Sequence, residues 1–274
     1  MIIWAQKTER ITGQSKVTSI VKELKIHTKL IEFSLSFSYL LSTISLFITV
    51  FTKQSKVLYF VPSRSKLGML KDLPILIVAS TNIRIIAHLH GSDSIAFLSY
   101  IIKIPILRRA YKNMVFISPS YIISQSIIEL GFTCVTIENF AKLQEPQNVL
   151  SNVDCVEKED VQLIVWNSNI MASKGVLELL EAVRLLNNDG INIHVVLFGA
   201  ALSDTEMSSD KILQRLDIYS KLPYVSHLGP HSAGEIQKFL KQANMVVLPS
   251  RYPTECQPLS LIEAMLNSLK IIIA

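Results

Sequence analysis

The chain has 274 residues, of which 49% are hydrophobic and 18% are charged, a composition that excludes a disordered protein and favours two domains with separate cores. Its three cysteines form no C-x-x-C pair, which argues against a zinc site or a disulfide framework and favours a reducing cytoplasm. The net charge of +5 hides an asymmetry, because residues 1–112 carry 16 Lys and Arg against 5 Asp and Glu, whereas residues 113–274 carry 11 against 17.

The chain opens with MIIWAQKTER, whose apolar stretch is too short for a signal peptide. The segment from Leu30 to Phe51 is nearly long enough to cross a bilayer. Its Ser and Thr residues, however, recur at helical spacing opposite a stripe of Phe, Leu and Ile. This pattern favours an amphipathic helix, in a domain core or on a membrane surface, over a transmembrane span, which stays open as an alternative.

Short apolar runs then alternate with helical patterns up to residue 137. The runs predicted as buried strands are 57–61, 83–90, 114–118 and 134–137, and the predicted helices are 94–111 and 120–130. Strands that alternate with helices predict a parallel sheet with helices on both faces.

The alternation stops in the polar and acidic stretch 145–160 and then restarts. The later predicted strands are 161–166, 191–199, 224–229, 245–249 and 270–274, and the predicted helices are 175–188, 211–221, 233–243 and 259–268. The sequence therefore predicts two tandem Rossmann-like α/β domains, residues 1–144 and 161–274, joined by a linker at 145–160. Ligands bind outside the carboxyl ends of such strands, so we expect the domains to face each other across a ligand-binding cleft.

Two carboxylates lie in the stretch PSRYPTECQPLSLIEAM, residues 249–265, where a predicted strand leads into a helix. Pro258 suits the first helical turn, which puts Glu255 in the loop and Glu263 about one turn into the helix. The backbone N–H groups between them, from Cys256 to Ser260, offer an anion site. Carboxylates on both sides of such donors suit a ligand with hydroxyls at both ends and phosphate in the middle, such as a nucleotide sugar.

The two glutamates also fit structural roles that need no nucleotide sugar. Ser260 as N-cap and Glu263 three residues later can form a capping box, and Glu255 can be a solvated loop acid. A glycosidase also uses two carboxylates, roughly 5–10 Å apart across one bond. Neither glutamate lies in an evident apolar pocket suited to a general acid, so the sequence disfavours a hydrolase.

Lys174 and Gly175 open a helix directly after the first strand of the second domain and its loop. A cation beside a helix N-terminus is placed to neutralise a diphosphate leaving group. The alternative is an ordinary surface lysine.

With these motifs the chain resembles the family 4 retaining glycosyltransferases, whose two Rossmann-like domains form the GT-B architecture. The resemblance covers almost the whole chain and is strongest at the two glutamates of PSRYPTECQPLSLIEAM. The segment NSNIMASKGVLELLEA is moderately specific, and weaker similarities are ITGQSKVT, AHLHGSD and TIENF.

The resemblance implies roles for individual residues. Glu255 would hold hydroxyls of the donor sugar, Glu263 would bind the ribose, and Lys174 would stabilise the departing diphosphate. The catalytic residues it implies are His90, Lys174 and Glu255. The donor-binding residues it implies are Gly13, Gln14, Asn169, Lys174, Glu255, Cys256, Gln257, Pro258, Leu259 and Glu263.

Some of these positions depart from the family pattern or have an alternative role. The family often has an arginine where this chain has Asn169, which carries no charge, so leaving-group stabilisation would depend more on Lys174. His90 would lie near the reacting sugar, or it is a hydrogen-bonded histidine at a strand end. Gly13 and Gln14 would form the loop that approaches donor and acceptor, where glycine allows close backbone contact.

The resemblance implies transfer of a sugar from a nucleotide diphosphate sugar, with retention of configuration and without a metal or other cofactor. The expected acceptor is a saccharide or a lipid-linked saccharide in bacterial surface polysaccharide synthesis. A nucleotide-sugar epimerase and a non-catalytic remnant of the same fold are the alternatives.

The basic first half suggests an anionic partner. Nucleic acid is disfavoured because no RNP, helix-turn-helix or zinc-finger spacing accompanies the lysines. Peripheral contact with an anionic membrane fits better, which predicts a cytoplasmic protein at the inner face of the cell membrane. A merely solvated lysine-rich surface is the alternative. Because relatives of this architecture continue beyond a fifth strand, we also expect the second domain to be incomplete and activity to be impaired or absent.

Overall fold

The computed structural model describes residues 1–6, 29–33, 37–52, 55–63, 69–79, 83–141 and 160–273. The chain divides into two compact units, one formed by Met1–Asn139 with Pro253–Gln257 and the other by Phe140–Tyr252 with Pro258–Ala274. Each unit contains a parallel sheet with helices, so the predicted α/β class with two Rossmann-like domains is confirmed. Most of the predicted linker at 145–160 lies outside the described residues, and the predicted domain boundaries and cleft stay predictions.

The first unit is built on a six-stranded sheet with the strand order β2-β1-β3-β4-β5-β6, in which every neighbouring pair is parallel. Its core contains the large buried side chains of Trp4, Phe60, Tyr111 and Phe116. The described elements in chain order are β1 (Ile2–Gln6), β2 (Lys29–Phe33), α1 (Phe37–Phe51), β3 (Val57–Phe60), α2 (Met69–Val78), β4 (Arg84–His88), α3 (Ser94–Ile101), α4 (Pro105–Lys112), β5 (Met114–Ser118), α5 (Tyr121–Glu129) and β6 (Thr133–Thr136).

The prediction of one amphipathic helix from Leu30 to Phe51 is wrong, because the segment begins in strand β2 and only then forms α1. The buried side of α1 includes Leu46, Thr49 and Val50, so a threonine lies on the core side. The Thr49 hydroxyl donates to the Ser45 carbonyl at 2.7 Å and accepts from Lys29 Nζ at 2.7 Å, which makes its burial tolerable. Among the described helices, none has the length and apolar character that a membrane crossing requires.

Proline explains one further difference from the predicted elements. The single helix predicted at 94–111 is two helices, α3 and α4, that meet before Pro105. Ile104 is extended, with φ −113° and ψ 106°, because a residue that precedes proline is pushed out of the helical region. Helix α2, which contains Pro74, was not predicted.

The second unit contains the five predicted strands in the order β11-β10-β7-β8-β9, again parallel throughout. The described elements are β7 (Gln162–Asn167), a 3-10 turn (Ala172–Lys174), α6 (Val176–Asn188), β8 (Ile193–Phe198), α7 (Ser209–Tyr219), β9 (Val225–Gly229), α8 (Ala233–Leu240), β10 (Met245–Leu248), α9 (Leu259–Leu266) and β11 (Lys270–Ile273).

Successive residues of β7 enter two different cores of the second unit. Ile164 and Trp166 belong to the core that includes α6 and α7, whereas Leu163 and Val165 belong to the core that includes α8 and α9. Side chains of a strand alternate between the faces of its sheet, so both faces are covered, and this explains why the strands read as continuous apolar runs.

Candidate functional site

The second unit has a switch point at its first strand. The chain places β7 in the middle of the sheet, with β8 and β9 on one side and β10 and β11 on the other. In open parallel sheets the crevice at such a point, outside the carboxyl ends of the strands, is where ligands bind. The loops that follow β7 and β10 therefore mark the candidate site.

Lys174 lies in this crevice region, in the 3-10 turn that follows β7 and precedes α6. Gly175 adopts φ +82°, and a Cβ at this position would overlap the carbonyl oxygen of Pro249, the residue directly after β10. Only glycine permits this close approach. The lysine turn is therefore packed directly on the loop that leads toward the paired glutamates.

The ammonium group of Lys174 lies beside a hydroxyl group and an aromatic ring of the same unit. Its Nζ donates to Ser168 Oγ at 2.9 Å and lies 5.7 Å from the centre of the Tyr252 ring. Lys174 is only half-buried, so its charge can reach a ligand at the carboxyl edge of the sheet.

Glu263 is the fifth residue of α9, and its Oε2 accepts a hydrogen bond from Asn167 Nδ2 at 2.7 Å. Asn167 is the last residue of β7, so the carboxylate is oriented toward the switch point. The alternative of a capping box at Glu263 is wrong, because Pro258 is the N-cap and Ser260 is already a buried helical residue. Asn167 was not predicted, although a polar residue that ends an apolar strand was a usable signal.

Asn169, which stands where the family often has arginine, lies in the loop after β7. A Cβ on Gly199, whose φ is +122°, would overlap the carbonyl oxygen of Ser168 and approach Asn169 Cα to 3.1 Å. The N–H of Ile170 also donates to the Ala200 carbonyl at 2.9 Å. This loop is therefore fixed against the loop that follows β8.

His90, in the first unit, follows β4 by two residues, and its ring lies against the ring of a buried histidine. The rings of His88 and His90 are 4.2 Å apart between centres, and Tyr59 OH lies 2.7 Å from His88 Nδ1. Burial lowers the pKa of His88 to about 4, so His88 is neutral at physiological pH. The buried His88 is thus a hydrogen-bonded histidine at the end of β4, and the partly exposed His90 follows it in the loop. Both predicted roles of His90 stay predictions.

The segment Pro253–Gln257, which contains Glu255, is held by the rest of the first unit. Ser92 Oγ donates to the Pro253 carbonyl at 2.8 Å. Asn139 donates through its backbone N–H to Gln257 Oε1 and through Nδ2 to the Gln257 carbonyl at 2.9 Å. Since Ser92 follows His90 by two residues, the first unit brings the loops of His90 and Glu255 together.

Cys256, next to Glu255, packs against the core of the first unit. Burial, and then the negative charge of Glu255, raise the pKa of its thiol, so Cys256 stays protonated at neutral pH. The thiol is therefore suited to packing rather than to chemistry, and the predicted role of Cys256 in donor binding would use its backbone N–H.

The remaining predictions concern the loop near the start of the chain and metal binding. Gly13 and Gln14 lie outside the described residues. Across the part of the chain that the structure describes, no three His, Cys, Asp or Glu side chains cluster closely enough to hold a metal ion.

Residues 153–274 match the sequence profile of the family described as "Glycosyl transferases group 1". No curated protein matches the sequence. The structure is similar to a sucrose-phosphate synthase from Thermosynechococcus elongatus, with 13% identity, a TM-score of 0.69 and coverage of 99% of this chain and 80% of that one.

Two further solved structures are similar over the same extent. HepE from Anabaena, solved with UDP and glucose, has 14% identity, a TM-score of 0.66 and coverage of 99% of this chain and 80% of that one. A glycosyltransferase from Rickettsia africae has 16% identity, a TM-score of 0.63 and coverage of 99% and 78%. At these identities the likeness establishes the GT-B fold, which the sequence predicted.

Proposed function

We propose that the chain is a retaining glycosyltransferase that moves a sugar from a nucleotide diphosphate sugar to a saccharide or lipid-linked acceptor. The observation that supports it most is the placement of Lys174 and of the Asn167–Glu263 pair around the end of β7. A cation and a fixed carboxylate at a switch point suit a ligand that carries both phosphate and ribose, and the region matches a glycosyltransferase profile.

In this proposal the second unit binds the nucleotide part of the donor. Glu263, oriented by Asn167, accepts from the ribose hydroxyls, and the N–H groups at the start of α9 receive a phosphate. Lys174 neutralises the negative charge that develops on the diphosphate as the bond to the anomeric carbon breaks. Charged or hydrogen-bonding groups that are already in position to stabilise a charge that develops in the transition state usually make the largest contribution to catalysis.

The first unit supplies the residues proposed to contact the sugar. Glu255 holds hydroxyls of the donor sugar, and His90 lies near the reacting carbon. The backbone from Cys256 to Leu259, which continues from this segment into the start of α9, is proposed to cradle the phosphates. Retention follows if the acceptor hydroxyl attacks from the face that the diphosphate leaves, without a protein nucleophile and without a metal or other cofactor.

We also propose peripheral contact with the inner face of the cell membrane, consistent with a lipid-linked acceptor of surface polysaccharide synthesis. The apolar face of α1, defined as Leu40, Leu41, Ile44, Ile48 and Phe51, is exposed, and α1 contains no charged residue. It belongs to the half of the chain with 16 basic and 5 acidic residues. An anionic bilayer attracts proteins that combine exposed apolar side chains with an excess of basic residues.

Donor turnover tests the proposed activity. Purified protein is incubated with a panel of UDP- and GDP-sugars and saccharide acceptors, and we expect release of the nucleoside diphosphate together with a product whose anomeric configuration, read by NMR, is that of the donor. Conversion of the free nucleotide sugar into an epimer, without transfer, would favour the epimerase. Binding of no nucleoside diphosphate would contradict the proposed donor site.

A further inference from the structure

Ser173 is the residue directly before Lys174. Its backbone N–H, its hydroxyl and its backbone carbonyl each form a hydrogen bond with another loop. The side chain is buried, with 1% of its surface exposed. Its N–H and its Oγ donate to Asp204 Oδ2 at 2.8 and 2.7 Å. Its carbonyl accepts from the N–H of Arg251 at 2.7 Å. The peptide groups that flank Lys174 on its N-terminal side are thus tied to residues of two other loops.

These two loops come from the strands on either side of β7. In the sheet β8 and β10 are the neighbours of β7, and Asp204 follows β8 while Arg251 follows β10. The turn that carries Lys174 is therefore held from both sides. Its position is fixed relative to the carboxyl ends of three adjacent strands, which is the edge where the donor is proposed to bind.

Asp204 has the hydrogen bonds of a structural anchor. Besides Ser173, it receives the N–H groups of Glu206 and Met207 on Oδ1, at 2.9 and 2.8 Å. Burial opposes its ionisation, but the bonds from Ser173, Met207 and Glu206 outweigh burial and lower its pKa. The carboxylate is therefore charged at neutral pH, and hydrogen bonds to a charged acceptor are about twice as strong as neutral ones.

We propose that Asp204 is a positioning residue, which acts through Ser173 to hold Lys174 where its ammonium meets the donor diphosphate. The inference rests on the proposed function, since it takes Lys174 as the diphosphate partner. A displacement of about 1 Å at a reacting group can cost roughly 100-fold in rate, so loss of the anchor has consequences for transfer although Asp204 acts only through Ser173.

A double-mutant cycle on UDP binding tests this role, with the dissociation constant measured by calorimetry for wild type, Asp204→Asn, Lys174→Ala and the double variant. Asparagine replaces one carboxylate oxygen by an amide donor, so it cannot accept all the bonds that Asp204 accepts. We expect Asp204→Asn to weaken UDP binding about fivefold or more in the wild-type background, and less than about twofold once Lys174 is alanine.

Two further variants control the cycle. Asp217→Asn removes a carboxylate of α7 that pairs with Lys221 at 2.9 Å on the exposed surface, and we expect UDP binding to be unchanged. Ser173→Ala removes only the hydroxyl bond to Asp204, so it reports on the same contact if Asp204→Asn does not fold, and we expect a smaller loss that also depends on Lys174.

Equal losses in the two backgrounds, or unchanged binding in both Asp204→Asn and Ser173→Ala, would overturn the positioning role. Wild-type protein that binds neither UDP nor GDP nor ADP would contradict the proposed donor site itself, and the positioning role with it. A failure of the proposed function is therefore seen in the wild type, and a failure of the inference alone is seen in the variants.

Discussion

Lys174 and Glu255 can be truncated without opening a hydrophobic core, because one lies in a 3-10 turn and the other in a loop segment. We expect Lys174→Ala and Glu255→Ala to lower sugar transfer by roughly 100-fold or more, the loss typical of removing one group that stabilises a transition state. The melting temperature should stay close to that of the wild type. Turnover assays and thermal unfolding of the same preparations measure the two quantities.

The matched control for Lys174→Ala is Lys221→Ala, which removes an exposed lysine of the same unit that lies just beyond α7 and pairs with Asp217. It should leave both transfer and melting temperature unchanged. Normal transfer combined with a large loss of stability in Lys174→Ala or Glu255→Ala would contradict their assignment to the site.

Asp72 makes the stability of the first unit depend on pH. The carboxyl is buried, with 2% of its surface exposed, and burial raises its pKa to about 7, although hydrogen bonds from Ser63 and the charge of Lys71 lower it. An unfolded aspartate titrates near pH ~4. Between about pH 4 and pH 7 the folded state therefore holds a proton that the unfolded chain has released, so stability falls as the pH rises through this window.

Asp72→Asn removes this titration. Its Oδ1 can still accept the Ser63 N–H, which donates to Asp72 Oδ2 at 2.7 Å. We expect the free energy of unfolding of the wild type, relative to that of Asp72→Asn, to fall by roughly 2–3 kcal/mol from pH 5 to pH 8. Urea unfolding of both proteins at the two pH values measures the difference between their free energies of unfolding. If this difference does not change with pH, Asp72 ionises in the folded protein as it does in the unfolded chain.

Among the structural elements, the lysine turn and the loop after β10 are joined by the contact at Gly175. Gly175→Ala places a methyl group against the Pro249 carbonyl at φ +82°, whereas Gly190→Ala has a similar φ of +84° and open space around the new Cβ. We expect Gly190→Ala to destabilise the protein by about 1 kcal/mol through backbone strain alone. Gly175→Ala should destabilise it by roughly a further 1–3 kcal/mol through overpacking, and should also weaken UDP binding.

Urea unfolding of the two glycine variants isolates this contact, because the cost of the left-handed backbone is common to both. Equal destabilisation of Gly175→Ala and Gly190→Ala would mean that the turn and the loop after β10 adjust to each other without strain. In that case the close approach of the two loops would not be what positions Lys174.

Elements buried on both faces of a sheet could be predicted from the sequence, and the elements near α1 could not. Strand β5 has the predicted bounds Met114–Ser118, and the strands of the second unit start and end within about two residues of their apolar runs, because a parallel strand covered on both sides is continuously apolar. No glycine or proline stands between β2 and α1, so no strong breaker in the sequence marks where the strand ends and the helix begins.

Some residues of the candidate site could likewise be predicted from the sequence, and others could be found only from the folded structure. Lys174 and Glu263 could be predicted from the sequence, because Lys174 follows an apolar strand and Glu263 lies near the start of a predicted helix. Asn167, Ser173 and Asp204 do not, because each matters only through a partner that is 31 or 96 positions away in the sequence. Such meetings depend on strand order, and hydrophobic periodicity contains no information about which strands become neighbours.

At the scale of the whole molecule, the exposed apolar face of α1 predicts that the protein binds a membrane surface. Leu73 and Ile77 of α2, which packs against α1, are also exposed and extend this face. Large exposed apolar areas on a protein usually mark an interaction site. We therefore expect the protein to sediment with vesicles that contain anionic lipid, and the bound fraction to fall at high salt as the Debye length shortens.

Ile44→Ser/Ile48→Ser replaces two side chains of the apolar face of α1 that are 46% and 55% exposed, so it should reduce vesicle binding without a loss of fold. The matched control is Leu213→Ser/Ile218→Ser, two side chains of α7 in the second unit that are 47% and 61% exposed, and it should bind like the wild type. Burying each isoleucine in the bilayer interface is worth about 1–2 kcal/mol, so the pair should change the partition coefficient by roughly tenfold or more. Equal binding of both double variants would show that α1 does not face a membrane. Equal binding to uncharged vesicles would show that the basic residues do not contribute to the contact.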